Sequence, residues 1–483
     1  MHSCPGSAAK GADMGTRMGM MAAVVVAAVV LELASAPTSA PESGPTSRPV
    51  RRITATIDPP PVRDLDTPLQ PLEAHLEPLA SQALLTPPEG HGMPAFEPPG
   101  PYTIAAAAPR ISVAAYPVDY RSRWAHWGPG CIHSNGKVYT AIGDHGDLGA
   151  DSYLYEYDPA TNVLRRAASL RQGARLGLDS YGCGKVHGQV CEGADGRLYM
   201  ASWWGNNHDA YEGDRLFSYD VTAGTLEHYG ITVGGFGAPS TAMNADGGLF
   251  YGVFFCQQSN ADAVFVAYDL ARRRVVFQGG HHEAPRPGRG IGVDAKGRAY
   301  FSSGRGHLQV YDPARNLVED FPAAWPCYMT RAFSVRKPAD GTLLVAGQGE
   351  GSPLMRLDGE ARTLTPLATL WTDVRSFDLD PSGRYVYYLA CNSAGRNGTY
   401  VMPTMPLVRL DLQDGTQQVV AFLQQAFREQ LDLQFSGEST CYSTLVSDDG
   451  RTIYLCLNTA KITFDEDNPT MLYCPVFVKV ELP

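Results

Sequence analysis

Apolar and polar positions alternate along most of the chain after residue 110, and the alternation is broken at intervals by one kind of turn. Residues 153–161 read YLYEYDPAT: an aromatic and aliphatic alternation, an acidic stop, then a turn. The unit returns as RLFSYDVTA from Arg215, VFVAYDLAR from Val264, HLQVYDPAR from His307, PLMRLDGEA from Pro353 and PLVRLDLQD from Pro406, and VFVKVELP stands at the C-terminus. Alternation with a period of two predicts a strand. Ahead of each such strand lies a second unit, an apolar strand, a tight glycine turn and an aromatic strand, as in CIHSNGKVYTAIGD and GVDAKGRAYFSSG. Its turn glycines are Gly136, Gly196, Gly247, Gly297, Gly341, Gly383 and Gly450. Asn-Gly and Asp-Gly between apolar runs are strong hairpin signals. A further short apolar stretch, such as VLRRAASL or RVVFQG, follows each acidic turn.

Each repeat therefore predicts four strands, A (innermost) to D (outermost), within a period of roughly fifty residues, and there are seven repeats. Four short strands per repeat predict an all-β, seven-bladed β-propeller of four-stranded antiparallel blades over 111–483. The seventh repeat stops at its strand C, and ISVAAYPV at 111–118 precedes the first. That segment is expected to supply the missing outer strand and close the ring, leaving no unpaired edge. On these repeats the chain resembles the seven-bladed propeller superfamily over about 110–483. It lacks serial WD dipeptides, sialidase-type Asp boxes and quinoprotein tryptophan-docking repeats.

Upstream, composition changes the picture. Lys10 and Arg17 precede the apolar run MGMMAAVVVAAVVL (18–31), and ASA at 34–36 offers a small-residue cleavage site. The run is shorter than the roughly 20 residues that span a bilayer. A signal peptide over 1–36 is expected, with a secreted, periplasmic or cell-surface product that keeps no membrane span; a retained anchor is the alternative. Residues 37–110 are rich in Pro, Ser, Thr and Ala and read as an extended, disordered linker. Within it, LDTPLQPLEAHLEPLASQALL (65–85) carries regular leucines that suit a short docking segment.

The formal net charge of −11 argues against nucleic-acid partners, which call for a basic face. Of the ten cysteines, nine lie beyond residue 36, with no CxxC pair. Disulfides are open to an exported chain, but apolar surroundings favour buried thiols. A monomer is expected.

The D-to-A and B-to-C connections share one face of a propeller, and rigid rings carry function on such loops. Aligning the A strands on their last apolar residue brings Arg289, Arg331 and Arg375 (RGIGV, RAFSV, RSFDL) into one column, with Tyr442 (YSTLV) equivalent to them. His187 lies one step inside, in VHGQV. His145 and Arg305 at B-strand ends reach the same face, where Trp203 and Trp204 flank it. Converging guanidiniums repel unless something anionic lies among them. An anion site fits this column. So does a set of interblade salt bridges, to Asp378 for example.

Asp144, His145, Asp147, Asp151 and His187 include residue types that bind divalent metals, but no recognised ligand spacing is present, so no cofactor is firmly implied. The site's residue types are similar to those of ulvan-lyase-type propellers. That resemblance implies β-elimination on an anionic, uronate-containing polysaccharide, with Arg289, Arg331 and Arg375 on the carboxylate; Arg305, Trp203 and Trp204 are further substrate-binding candidates from their place on the same face, the tryptophans offering flat contact to sugars. His187 or His145 would be the base and Tyr442 the acid. Two alternatives stand beside it: a non-catalytic extracytoplasmic propeller that binds a small anion or a protein, and a metal-dependent lactonase or streptogramin-lyase-like enzyme.

Overall fold

The computed structural model describes residues 65, 69–80, 84–87, 98, 100–118, 124–146, 148–203, 211–244, 246–255, 263–282, 288–303, 307–348, 352–390, 405–434, 441–461 and 474–483. Seven antiparallel sheets follow one another along the chain, giving a seven-bladed β-propeller. Blade 1 comprises a split inner strand (Ala125–His126 and Cys131–Ile132), then Val138–Gly143, Ser152–Asp158 and Val163–Ser169. Blades 2 to 6 have inner strands Cys191–Glu192, Gly237–Met243, Gly292–Val293, Met329–Phe333 and Phe377–Leu379, each followed by three more in order. Blade 7 has Cys441–Val446, Thr452–Lys461 and Cys474–Glu481. Its outer strand is Arg110–Ala115, paired from Glu481↔Arg110 to Val476↔Ala115. The ring closes as the sequence predicts.

The recurrent turns have local causes. All seven hairpin glycines take φ between 65° and 82°, the left-handed region where a side chain is disfavoured. The acid ending each C strand folds the next turn by accepting backbone N–H groups two or three residues on. Asp158 takes Ala160, Asp220 takes Thr222 and Ala223, Asp312 takes Ala314, Asp358 takes Glu360 and Ala361, and Asp411 takes Gln413. Four residues after each acid the chain turns left-handed, at Asn162, Gly224, Arg273, Asn316, Arg362 and Gly415, with φ of 49° to 74°.

The alternation has a packing reason as well. A blade is covered on both faces by its neighbours, so successive side chains enter different cores. Tyr153, Tyr155 and Tyr157 join the cluster between blades 7 and 1, while Leu154 joins that between blades 1 and 2. The described cysteines, Cys131, Cys183, Cys191, Cys327, Cys441, Cys456 and Cys474, are buried in these layers. Their apolar surroundings predict that.

Parts of the Pro-rich stretch expected to run as a free linker lie against the ring. Glu73–His75 pairs with the outer strand of blade 1, Glu77–Pro78 pairs with Arg110–Ala115 of blade 7, and Tyr102–Ile104 adds a parallel strand to the edge of blade 6. Leu76, Leu79 and Leu84 are buried in the core shared by blades 7 and 1. The leucines anticipate this docking; the prolines around them hide the strands. Among the described residues, no helix is long and apolar enough to cross a membrane.

Candidate functional site at the channel mouth

The N-terminal ends of the inner strands converge on the central channel, where a cavity of about 320 Å³ is lined by Trp127, His187, Arg289, Arg331, Arg375 and Tyr442 among others. The aligned column is thus brought together at one place. The strands approach closely because small residues sit between them. A Cβ on Gly188 would stand 2.0 Å from Thr241 Oγ1, and one on Gly128 would stand 2.2 Å from the Gly188 carbonyl oxygen.

His187 is neutral and fixed. Its Nδ1–H donates to the Pro239 carbonyl at 2.9 Å, which leaves the Nε2 lone pair to accept from Arg289 Nη1, also at 2.9 Å. Burial lowers its pKa well below 6.5, and the charges of Arg289, Lys185 and Arg331 lower it further. Arg375 Nη1 donates to the Tyr442 hydroxyl at 2.7 Å. Arg331 is 6 % exposed, and its Nε and Nη2 have no hydrogen-bond partner. Burial, then the neighbouring Arg375, brings its pKa down to about 10, so it is still a cation at neutral pH. Its guanidinium carbon lies 5.7 Å from the Tyr442 ring centre.

Asp378, the acid that would neutralise these arginines in a structural bridge, is engaged elsewhere. It accepts from the backbone N–H groups of Val446, Arg336 and Leu379 and from the Ser334 hydroxyl. Arg331 forms no ion pair within 4 Å of an acidic group among the described residues.

An aromatic frame carries the cations. The Trp127 indole lies against His187 (5.7 Å between ring centres), Tyr442 (5.0 Å) and His145 (5.1 Å). Lys185 Nζ sits 4.1 Å from the Trp127 ring centre and 5.2 Å from that of Trp203, which also faces Arg289 at 5.6 Å. Such cation–ring contacts are strengthened by removal from water. Burial, followed by the charge of Arg289, lowers the Lys185 pKa well below 10.5. Trp203 is 2 % exposed and packs on Phe255 as well, so it is a buried wall rather than an open platform.

His145 joins through Trp127, in a left-handed backbone conformation with φ 56°, and is not among the cavity-lining residues. Arg305, Trp204 and Asp147 fall outside the described residues. The other acids of the His145 loop are committed to the backbone. Asp144 accepts from Gly146 and Asp151, while Asp151 accepts from Ser152, Arg171 and the Ser169 hydroxyl. Among the described residues no group of three His, Cys, Asp or Glu side chains could hold a metal ion. Lys185 and Trp127 are additions that the sequence reading misses: Lys185 precedes the inner strand of blade 2, and Trp127 lies between the two halves of the split inner strand of blade 1, in register with His187.

No protein-family model matches the chain, and no curated protein matches it. Solved structures do match. A chain of Kuenenia stuttgartiensis hydrazine synthase shares 14% identity over 62% of this chain and 86% of its own, with a TM-score of 0.41. A chain of the mitotic checkpoint complex shares 12% identity over 81% of this chain and 100% of its own, with a TM-score of 0.48. What the geometry establishes by itself is a seven-bladed β-propeller whose channel mouth gathers one lysine, three arginines, a neutral histidine and a tyrosine.

Proposed function

We propose that the channel mouth binds an anionic ligand through Arg331, Arg289 and Arg375, and that the ligand is a uronate sugar cleaved by β-elimination. The observation that carries the anion reading is Arg331: a buried, charged guanidinium with two nitrogens lacking a partner. Buried charges are normally paired, and a carboxylate is the partner that a guanidinium fork fits. A cavity of about 320 Å³ is at the small end of ligand pockets, which run from about 300 to 1,000 Å³.

Elimination needs the carboxylate neutralised, the proton on the adjacent carbon removed and the leaving oxygen protonated. Arg331 and Arg375 supply the first. The His187 Nε2 lone pair accepts the C5 proton once the carboxylate draws Arg289 toward itself. A bound anion would also offset the cationic charges that depress His187, raising its basicity when substrate is present. The Tyr442 hydroxyl gives its proton to the departing O4 as the C4–O bond breaks and the C4–C5 double bond forms. The apolar run at 18–31 supports export of such an enzyme to where polysaccharide is met.

The test is to incubate the full chain with uronate-containing polysaccharides, with and without chelator, and follow the ultraviolet absorbance of unsaturated products. Chelator-independent absorbance is expected from wild type. Tyr442→Phe should lower kcat by about 10²–10⁴-fold without raising KM, and Arg331→Ala should abolish activity. No absorbance on any polymer, with anion binding intact, would favour a second reading, a binding propeller without chemistry. The low basicity of His187 in the free protein supports that alternative. Absorbance or lactone opening that chelator removes would instead point to the metal-dependent class.

A further inference from the structure

The cavity ringed by cations at the mouth continues down the channel, and its chemistry changes with depth. Two residues along the inner strands from Arg289, Arg331 and Arg375 stand Ile291, Phe333 and Phe377, all lining the same cavity. Two further along stand Val293 and Val335, and Ile132 of blade 1 and Met243 of blade 3 lie at the depth of Val293. These four line the cavity too. Ile132, Phe333 and Val335 are only half-buried, so the channel wall keeps apolar surface uncovered. The Phe333 ring lies across the inner strand of blade 4, where a Cβ on Gly292 would stand 2.3 Å from it.

The polar side chains at these depths are largely engaged within the protein. The Thr444 hydroxyl bonds to that of Ser376 at 2.9 Å, and the Thr241 hydroxyl donates to the Gln189 carbonyl at 3.2 Å. Glu192, level with Val293, is turned aside, accepting from the Ser134 N–H at 2.9 Å and lying 3.3 Å from His133 Nε2. Asn244 and Lys337 line the far end. One cavity thus joins a cationic head to an apolar throat, and four residues of extended chain make that throat about 13 Å deep.

A sugar acid satisfies the head and sets hydroxyls against the throat. Resting on the anion reading of the mouth and not on elimination, we infer that the channel also binds an unbranched alkyl carboxylate, its head on Arg331 and its tail along Ile291, Phe333, Val293 and Val335. Seven inner strands enclose the route, which suits an unbranched tail. Covering apolar surface favours such a ligand in proportion to the length buried. It takes the guanidiniums that a uronate needs, so the two exclude each other.

Isothermal titration calorimetry of the full chain with acetate, butanoate, hexanoate and octanoate tests this, with D-glucuronate as competitor. Affinity should rise about tenfold for every two methylenes added, and glucuronate should displace octanoate. Arg331→Gln should weaken octanoate at least about tenfold. Val335→Phe, which fills the throat, should make the rise stop at a shorter chain. Where wild type binds glucuronate, a flat series overturns this inference and leaves the anion reading standing. So does octanoate that glucuronate fails to displace or that Arg331→Gln binds unchanged. An unaltered rise in folded Val335→Phe does the same, and if that variant does not fold, the wild-type series and the displacement decide. Failure of wild type to bind glucuronate or any member of the series overturns the anion reading itself, and this inference with it.

Discussion

His126 sits fully buried between blades 1 and 7, with its backbone held by Asn458 and neither ring nitrogen hydrogen-bonded. Burial lowers its pKa from 6.5 to about 3. Because the folded pKa is the lower one, the unfolded chain takes up a proton first as pH falls. Stability from this residue is therefore complete above about pH 6.5 and declines as pH drops toward 3. Asp144 acts in the opposite sense. Burial, opposed by its backbone hydrogen bonds, raises its pKa from 3.8 to about 7, so its share is greatest in acid and is lost on approach to neutrality. Replacing His126 by Leu removes the titrating ring and breaks no side-chain hydrogen bond. The melting temperature of His126→Leu should fall less steeply than that of wild type between pH 6.5 and 4. Parallel melting curves across that range would refute the assignment. At this scale, legibility in the sequence depended on period. Arg289, Arg331, Arg375 and Tyr442 share a register in successive blades and could be aligned. Lys185 precedes its strand in a connection with no register to read, and Trp127 shares the register of His187 but lies where the inner strand of blade 1 is split.

The elements were readable because their turns are chemically constrained. A left-handed glycine and a side-chain acceptor at the end of strand C each leave a residue-specific mark, and neither depends on the rest of the ring. The arm's strands, Glu73–His75, Glu77–Pro78 and Tyr102–Ile104, leave no such mark. They are two or three residues long, lie among prolines, and owe their conformation to the blade edges they meet. The inner strands also carry a spacing that sets the width of the mouth. Gly188 packs on Thr241 of blade 3, whose hydroxyl donates to the Gln189 carbonyl. Gly188→Ala should cost about 1–3 kcal/mol through overpacking. Combining it with Thr241→Ala should restore part of that loss, as measured by chemical denaturation. Strictly additive costs would mean that the two strands do not limit each other's approach.

For the whole molecule, the seam between blades 7 and 1 is where the ring opens or holds. It is closed by Arg110–Ala115 and overlaid by residues 70–79, with Arg166 Nη2 donating to the Gln70 carbonyl and Asn162 Nδ2 to that of Leu76. A chain starting at residue 85 should still fold but melt several degrees lower. Its amide exchange should be faster in Val163–Ser169 and Arg110–Ala115 and unchanged in blades 3 and 4. A chain starting at residue 119 bares the backbone of Cys474–Glu481, and that raw edge should drive it to aggregate. Equal exchange in all blades of the first chain would show that residues 69–84 add nothing to the seam.

Closure by a strand from the far end of the sequence also imposes an order in time. Arg110–Ala115 leaves the ribosome before any blade exists, yet its partner, Cys474–Glu481, comes after the other strands of the ring. Until then the edge of that early strand that faces blade 7 has no partner, and closure joins segments of very large sequence separation, the slowest kind of contact to form. The ring therefore cannot close before blade 7 has been made. The arm that later covers the seam is already present throughout that wait, next to the strand it will hold.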